Sequence, residues 1–158
     1  MKNFLAVLLL FSACATQPLG QSMTAKMERL WGEIGYSGYT PPSVSAISRT
    51  EMQAMRGPFV VATYQCNGRA IYINADQSVD DDWLSGIIVH ELVHHKQCLD
   101  GKLSSGVDMC RIEVEAYTAQ IAWLRKLAQE RGFLLGTNVN NHAAHVERYM
   151  LKHFSKCL

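Results

Sequence analysis

A chain of 158 residues fits a single domain. Its 48% hydrophobic and 18% charged content supports a packed core and excludes a disordered or low-complexity protein. A formal net charge of +1, with acids and bases interspersed, leaves no electrostatic footprint for nucleic acid or an anionic membrane surface.

Taken in chain order, Met1-Lys2-Asn3 is a short basic start, and Phe4–Phe11 is an unbroken apolar run of signal-peptide length. The run is far shorter than the ~20 residues needed to cross a bilayer as a helix. Ser12-Ala13-Cys14-Ala15 supplies small residues for processing, in one of two ways. Ala13-x-Ala15 suits cleavage before Thr16, whereas Phe11-Ser12-Ala13-Cys14 resembles a lipobox that would leave a lipid anchor on Cys14. Residues 1–15 are therefore read as an export signal and 16–158 as one domain without a transmembrane segment. Its expected location is the periplasm, the secreted fraction or a membrane surface as a lipoprotein.

Residues 22–34 carry Met27, Leu30, Trp31 and Ile34 at helical spacing, and Gly35, Gly38 and Pro41-Pro42 end that helix. Residues 43–48 alternate and form a first candidate strand. Phe59–Tyr64 and Ala70–Asn74 are β-rich runs on either side of Cys66-Asn67-Gly68, a hairpin signal. Asp80-Asp81-Asp82 offers caps for a helix over 82–98, whose apolar residues lie nearly all round and predict a buried, central element. Further helices are predicted over 109–131 and 141–154, which completes an α+β order. Setting Cys14 aside, Cys66, Cys98, Cys110 and Cys157 make an even number in an exported chain and predict two disulfides. Cys98 and Cys110 bracket a short loop, which favours pairing Cys98–Cys110 and Cys66–Cys157.

Chemistry concentrates on the central helix. His90 and His94 stand one turn apart on one face, the separation that brings two imidazole nitrogens to one zinc ion. Glu91, beside them, is placed to take a proton from a water activated by the metal. With six histidines in the chain, H-E-x-x-H is expected by chance only roughly 0.01 times. A longer histidine motif does not continue, because Gln97 and Asp100 occupy the positions where its glycine and third histidine would stand.

The third ligand is then a glutamate of the next helix, and Glu113 and Glu115 both qualify by type. They lie about 200° apart on the helix. Glu113 shares an apolar stripe with Ala116, Tyr117, Leu124 and Ala128, while Glu115 shares a polar face with Thr118, Arg125 and Lys126. A buried carboxylate on a metal is neutralised, so Glu113 is the expected ligand and Glu115 a surface residue. Tyr117 and Gln120 sit near that stripe as supporting polar groups. His95, about 140° from His90, is not expected to reach the same metal.

H-E-L-V-H followed by E-x-E-A-Y on the next helix resembles the gluzincin class of zinc metallopeptidases, in particular its short members, the minigluzincins. The resemblance covers about residues 69–124 and departs from the common pattern at Tyr117. It implies a zincin-like α+β fold with a small sheet packed on the active-site helix, and zinc held by His90, His94 and Glu113. It also implies Glu91 as general base, a peptide or protein substrate, and Ala70–Asn74 as the edge strand along which that peptide lies. A downstream group (Tyr117, His142, His145 or Tyr149) would stabilise the transition state. Two other readings share the motif: an inactive zincin-fold binding protein of the cell envelope, and a zinc hydrolase of a non-peptide amide.

Overall fold

The segment over residues 82–99 is apolar on nearly every side, and such a helix is stable only when surrounded. In the computed structural model it is surrounded. The structure describes residues 19–78, 81–103 and 108–158, so the expected export signal, Cys14 and Asp80 lie outside the described residues. The described elements are α1 (Leu19–Glu33), β1 (Ser43–Ile47), α2 (Arg49–Arg56), β2 (Ala62–Gln65), β3 (Ala70–Asn74), α3 (Asp82–Leu99), α4 (Met109–Glu130) and α5 (Gly132–Phe154). A single 3₁₀ turn, Ser155–Cys157, follows. The protein is α+β, with a small three-stranded sheet and predominantly helical remainder.

Helix α3 lies between the sheet, α1 and α4. Its Leu84, Ile88, Val89 and Leu92 meet Met23, Met27, Leu30 and Trp31 of α1, Ile71 and Ile73 of β3, and Trp123 of α4 in one buried cluster. Asp81 stands at the N-cap of α3 without a side-chain capping bond, so its charge acts only through the helix dipole. Gly86 lets α3 and α4 approach closely. A Cβ added there would lie 2.8 Å from Leu124 Cγ.

The sheet order is β1-β3-β2, with β1 parallel and β2 antiparallel to β3. The expectation that Ala70–Asn74 is the edge strand is therefore wrong. That segment, β3, is the middle strand, and the edge beside α3 is β2. The β-rich run expected at 59–64 begins as strand only at Ala62, because Gly57-Pro58 and a 93% exposed Phe59 form a turn ahead of it. β-propensity marks residues that fit a half-buried pleated surface, and Phe59 at the head of this run has no such surface.

Both expected disulfides are also wrong. The pairs are Cys66–Cys98 and Cys110–Cys157, with Cα separations of 5.8 and 5.9 Å. Cys98 packs on the core side of α3 next to the end of β2, where Cys66 lies. Cys110 begins α4, whose neighbour is the α5 end of the chain, where Cys157 lies. Closeness in sequence across the 100–108 loop gave the wrong partner because the two thiols leave their helices in different directions.

Two helical segments differ from expectation. Helix α2 was not anticipated, although Ser48 and Glu51 form a reciprocal capping box that announces it. Helix α5 starts nine residues before the expected 141. Gly132 and Gly136 look like helix breakers, but Gly132 makes the left-handed turn out of α4. A Cβ on Gly136 would lie 2.2 Å from the Ala128 carbonyl oxygen, so that glycine permits α5 to cross α4.

Candidate metal centre

Helical spacing places His90 and His94 on one face of α3, and α4 crosses that face. His90 Nε2 lies 3.1 Å from His94 Nε2. Glu113 closes the triangle from α4, with Oε2 3.4 Å from His90 Nε2 and Oε1 3.5 Å from His94 Nε2. Donors about 2.0–2.1 Å from a tetrahedral zinc lie roughly 3.3 Å apart, so these three side chains match zinc in donor type and spacing. They are also partly desolvated, with side-chain exposures of 10%, 12% and 27%. Burial pushes the Glu113 carboxyl up, but the hydrogen bond from His90 and the charges of His94 and His90 outweigh it and hold the group below its ordinary value. Glu113 is thus an anion facing two imidazoles.

Glu91 is 8% exposed and takes no place in that triangle. Its Oε2 accepts a 2.7 Å hydrogen bond from the Tyr64 backbone N–H on β2. The hydrogen bond from Asn74 N–H to the Val61 carbonyl sets the ladder, so Ala62 and Tyr64 turn their backbone groups away from β3. One of those outward groups holds Glu91, and the general-base candidate is therefore seated between the active helix and the sheet edge.

A groove follows β2 across the site. One part, about 580 Å³, is lined by His90, Glu91, His94, Glu113, Thr63 and Asn67. The adjoining part, about 470 Å³, shares His90 and Glu91 and adds Val61, Tyr117, His145 and Tyr149. Tyr117 stacks edge-on against His90 with ring centroids 4.4 Å apart, and against Tyr149 at 5.6 Å. Its hydroxyl is held far above the ordinary tyrosine value by burial first, then by Tyr149 and Glu113. Of the downstream candidates, His145 and Tyr149 line the groove, whereas His142 is exposed and lines neither part. Gln120, 6% exposed, lines the second part.

His95 stays out of the site, as its phase requires. It bridges the Tyr64 hydroxyl (2.9 Å) and the Thr40 carbonyl (2.8 Å), and burial holds its pKa below the ordinary value. Two residues escaped the sequence reading. Gln97 had been considered only as a break in a longer histidine motif, yet its Oε1 lies 2.8 Å from His94 Nδ1. Its position three residues after His94, on the same face, was the available signal. Glu115 is half exposed as expected but also bonds Gln97, which its polar helix face concealed.

The family described as a domain of unknown function, DUF6647, matches residues 35–140. The chain belongs to the DUF6647 family. The DUF6647 region contains His90, Glu91, His94, Glu113 and Tyr117, and ends before His142. No curated protein and no solved structure matches the chain.

Proposed function

We propose that this DUF6647 protein is an exported zinc metallopeptidase of the gluzincin type, with zinc held by His90, His94 and Glu113. The observation that carries the reading is the triangle of two imidazole nitrogens and one carboxylate at 3.1–3.5 Å, with a separate buried carboxylate, Glu91, beside it. A structural zinc site is closed by four protein ligands, whereas three ligands and an adjacent free carboxylate belong to a hydrolytic one.

When bound, zinc supplies a Lewis acid that acidifies water and polarises a carbonyl. Glu91 takes the proton of the attacking water and passes it to the leaving amine as the C–N bond breaks. The Tyr64 N–H keeps one Glu91 oxygen fixed, so the other is free to point into the groove. Tyr117 stays protonated and donates a hydrogen bond to the oxygen on which charge develops. The substrate is an extended peptide laid along β2, where the outward backbone groups of Ala62 and the Tyr64 carbonyl add it as a further strand. Two disulfides suit an oxidising compartment, and no described helix is long and apolar enough to cross a membrane.

The test is metal content and peptide hydrolysis on one preparation. One zinc per chain, lost in Glu113→Ala, with chelator-sensitive cleavage abolished in a zinc-retaining Glu91→Gln, is the expected result. Zinc without turnover on any peptide pool would leave a binding protein or a hydrolase of non-peptide amides. Full cleavage by Glu91→Gln would overturn the mechanism.

A further inference from the structure

We propose that Gln97 is a positioning residue that fixes the tautomer of His94 and ties together the two ligand-bearing helices, with Glu115 setting its orientation. The consequence for metal binding rests on the zinc reading above; the hydrogen-bond geometry does not. Gln97 is 1% exposed and all of its polar contacts are internal. Its Nε2 donates to the Ile112 carbonyl and to Glu115 Oε2, each at 3.1 Å. A backbone carbonyl and a carboxylate only accept, so the amide NH₂ must face α4. The amide oxygen is then forced toward His94, 2.8 Å from Nδ1.

That oxygen can only accept, so His94 Nδ1 carries the proton. In a neutral imidazole the proton on Nδ1 leaves Nε2 with a bare lone pair. Nε2 is the atom that faces His90 and Glu113. A carboxylate therefore orients an amide, the amide selects a tautomer, and the tautomer presents a ligand lone pair to the centre. Ile112 immediately precedes Glu113, so the same amide also fixes the backbone of α4 beside the third ligand. Glu113 and Glu115 have separate tasks: one closes the metal triangle, and the other acts through Gln97.

His90 lacks an equivalent. Its Nδ1 is buried and, among the described residues, has no hydrogen-bond partner. On that side rings hold it, Tyr117 at 4.4 Å and His94 at 4.7 Å. Hydrogen-bonded anchoring through Nδ1 thus falls on His94, and its loss should be felt strongly.

The experiment uses the full chain as wild type, Gln97→Met, and the exchanged pair Gln97→Glu with Glu115→Gln. The exchanged pair keeps an acceptor for His94 Nδ1–H and a donor opposite it, and gives up the bond to the Ile112 carbonyl. Zinc dissociation constants come from chelator competition, and the His94 tautomer from long-range ¹H–¹⁵N correlation on zinc-free protein. Wild type is expected in the Nδ1–H form. Gln97→Met should weaken zinc by about 10- to 100-fold and mix the tautomers, and the exchanged pair should restore the Nδ1–H tautomer and part of the affinity. An Nε2–H form in wild type overturns the proposal. So does wild-type zinc affinity in Gln97→Met, or an exchanged pair that folds without recovering the Nδ1–H tautomer. If wild type takes up no zinc the peptidase reading falls, while the tautomer spectra still decide the role of Gln97.

Discussion

Tyr117 shows how one side chain can be read twice. From sequence it lies one turn after Glu113 on an apolar stripe and could be packing alone. In the structure its ring packs on His90, and the half-buried side chain lines the groove beside Tyr149, with its hydroxyl held in the protonated form. A donor that acts only as charge develops should affect kcat and leave KM nearly unchanged. Tyr117→Phe is therefore expected to lower kcat about 100-fold with KM within a few-fold of wild type, measured by steady-state peptide hydrolysis. A rise in KM at constant kcat would assign Tyr117 to ground-state binding. Zinc content should not change, because the hydroxyl is not a ligand. His90, Glu91, His94 and Glu113 were legible before any fold was known, because helix phase is a local property and α3 and α4 are long, regular helices. Gln97 and the second role of Glu115 were not legible. Their contact spans two helices, and periodicity reports which face a residue occupies without reporting what crosses it.

At the scale of elements, the site depends on how closely α4 lies against α3. Gly86, one turn before His90, sets that distance, since a methyl there would meet Leu124 Cγ at 2.8 Å and its two methyl carbons at 2.9 and 3.1 Å. Leu124 is 1% exposed and packed, so the helices must shift rather than the side chain swing aside. Gly86→Ala is expected to cost about 1–3 kcal/mol in denaturant unfolding. It should also weaken zinc, because Glu113 rides on the displaced helix, and Leu124→Ala in the same chain should recover part of the zinc affinity. Unchanged zinc affinity in Gly86→Ala would show that helix spacing does not limit the site. Lone glycines carry little sequence signal: Gly86 sits inside a predicted helix where periodicity does not show what it faces, and Gly132 and Gly136 mask the start of α5. The reversal of β2 and β3 has a related cause. A hairpin signal gives two neighbouring strands, but which of them is the edge depends on β1, whose Ser43 pairs with Ala70 of β3 and Ile47 with Asn74, far apart in sequence.

Across the whole molecule, the elements that bear the site are cross-linked around it. Cys66–Cys98 joins the end of β2, the strand that borders the groove, to the end of α3, and Cys110–Cys157 joins the start of α4 to the final turn. The bridges span 32 and 47 residues, and loop closure of that size removes unfolded-state entropy equivalent to about 4 kcal/mol each. Under the proposed zinc reading, bound metal would add separately, by about 4 kcal/mol when free metal exceeds its dissociation constant a thousandfold. The main core is built from apolar side chains of α1, β3 and α3, not from the three candidate ligands. Chelation alone is therefore expected to lower the melting temperature with far-UV circular dichroism retained. Reduction alone should destabilise more, because both bridges open. Chelation and reduction together should leave too little stability for a cooperative transition near 37 °C, since a domain's whole margin is about 5–15 kcal/mol. Unfolding followed by circular dichroism in four arms, with and without chelator and reductant, tests this. Complete unfolding on chelation alone would instead make zinc part of the core, and would move it from a catalytic to a structural place in this fold.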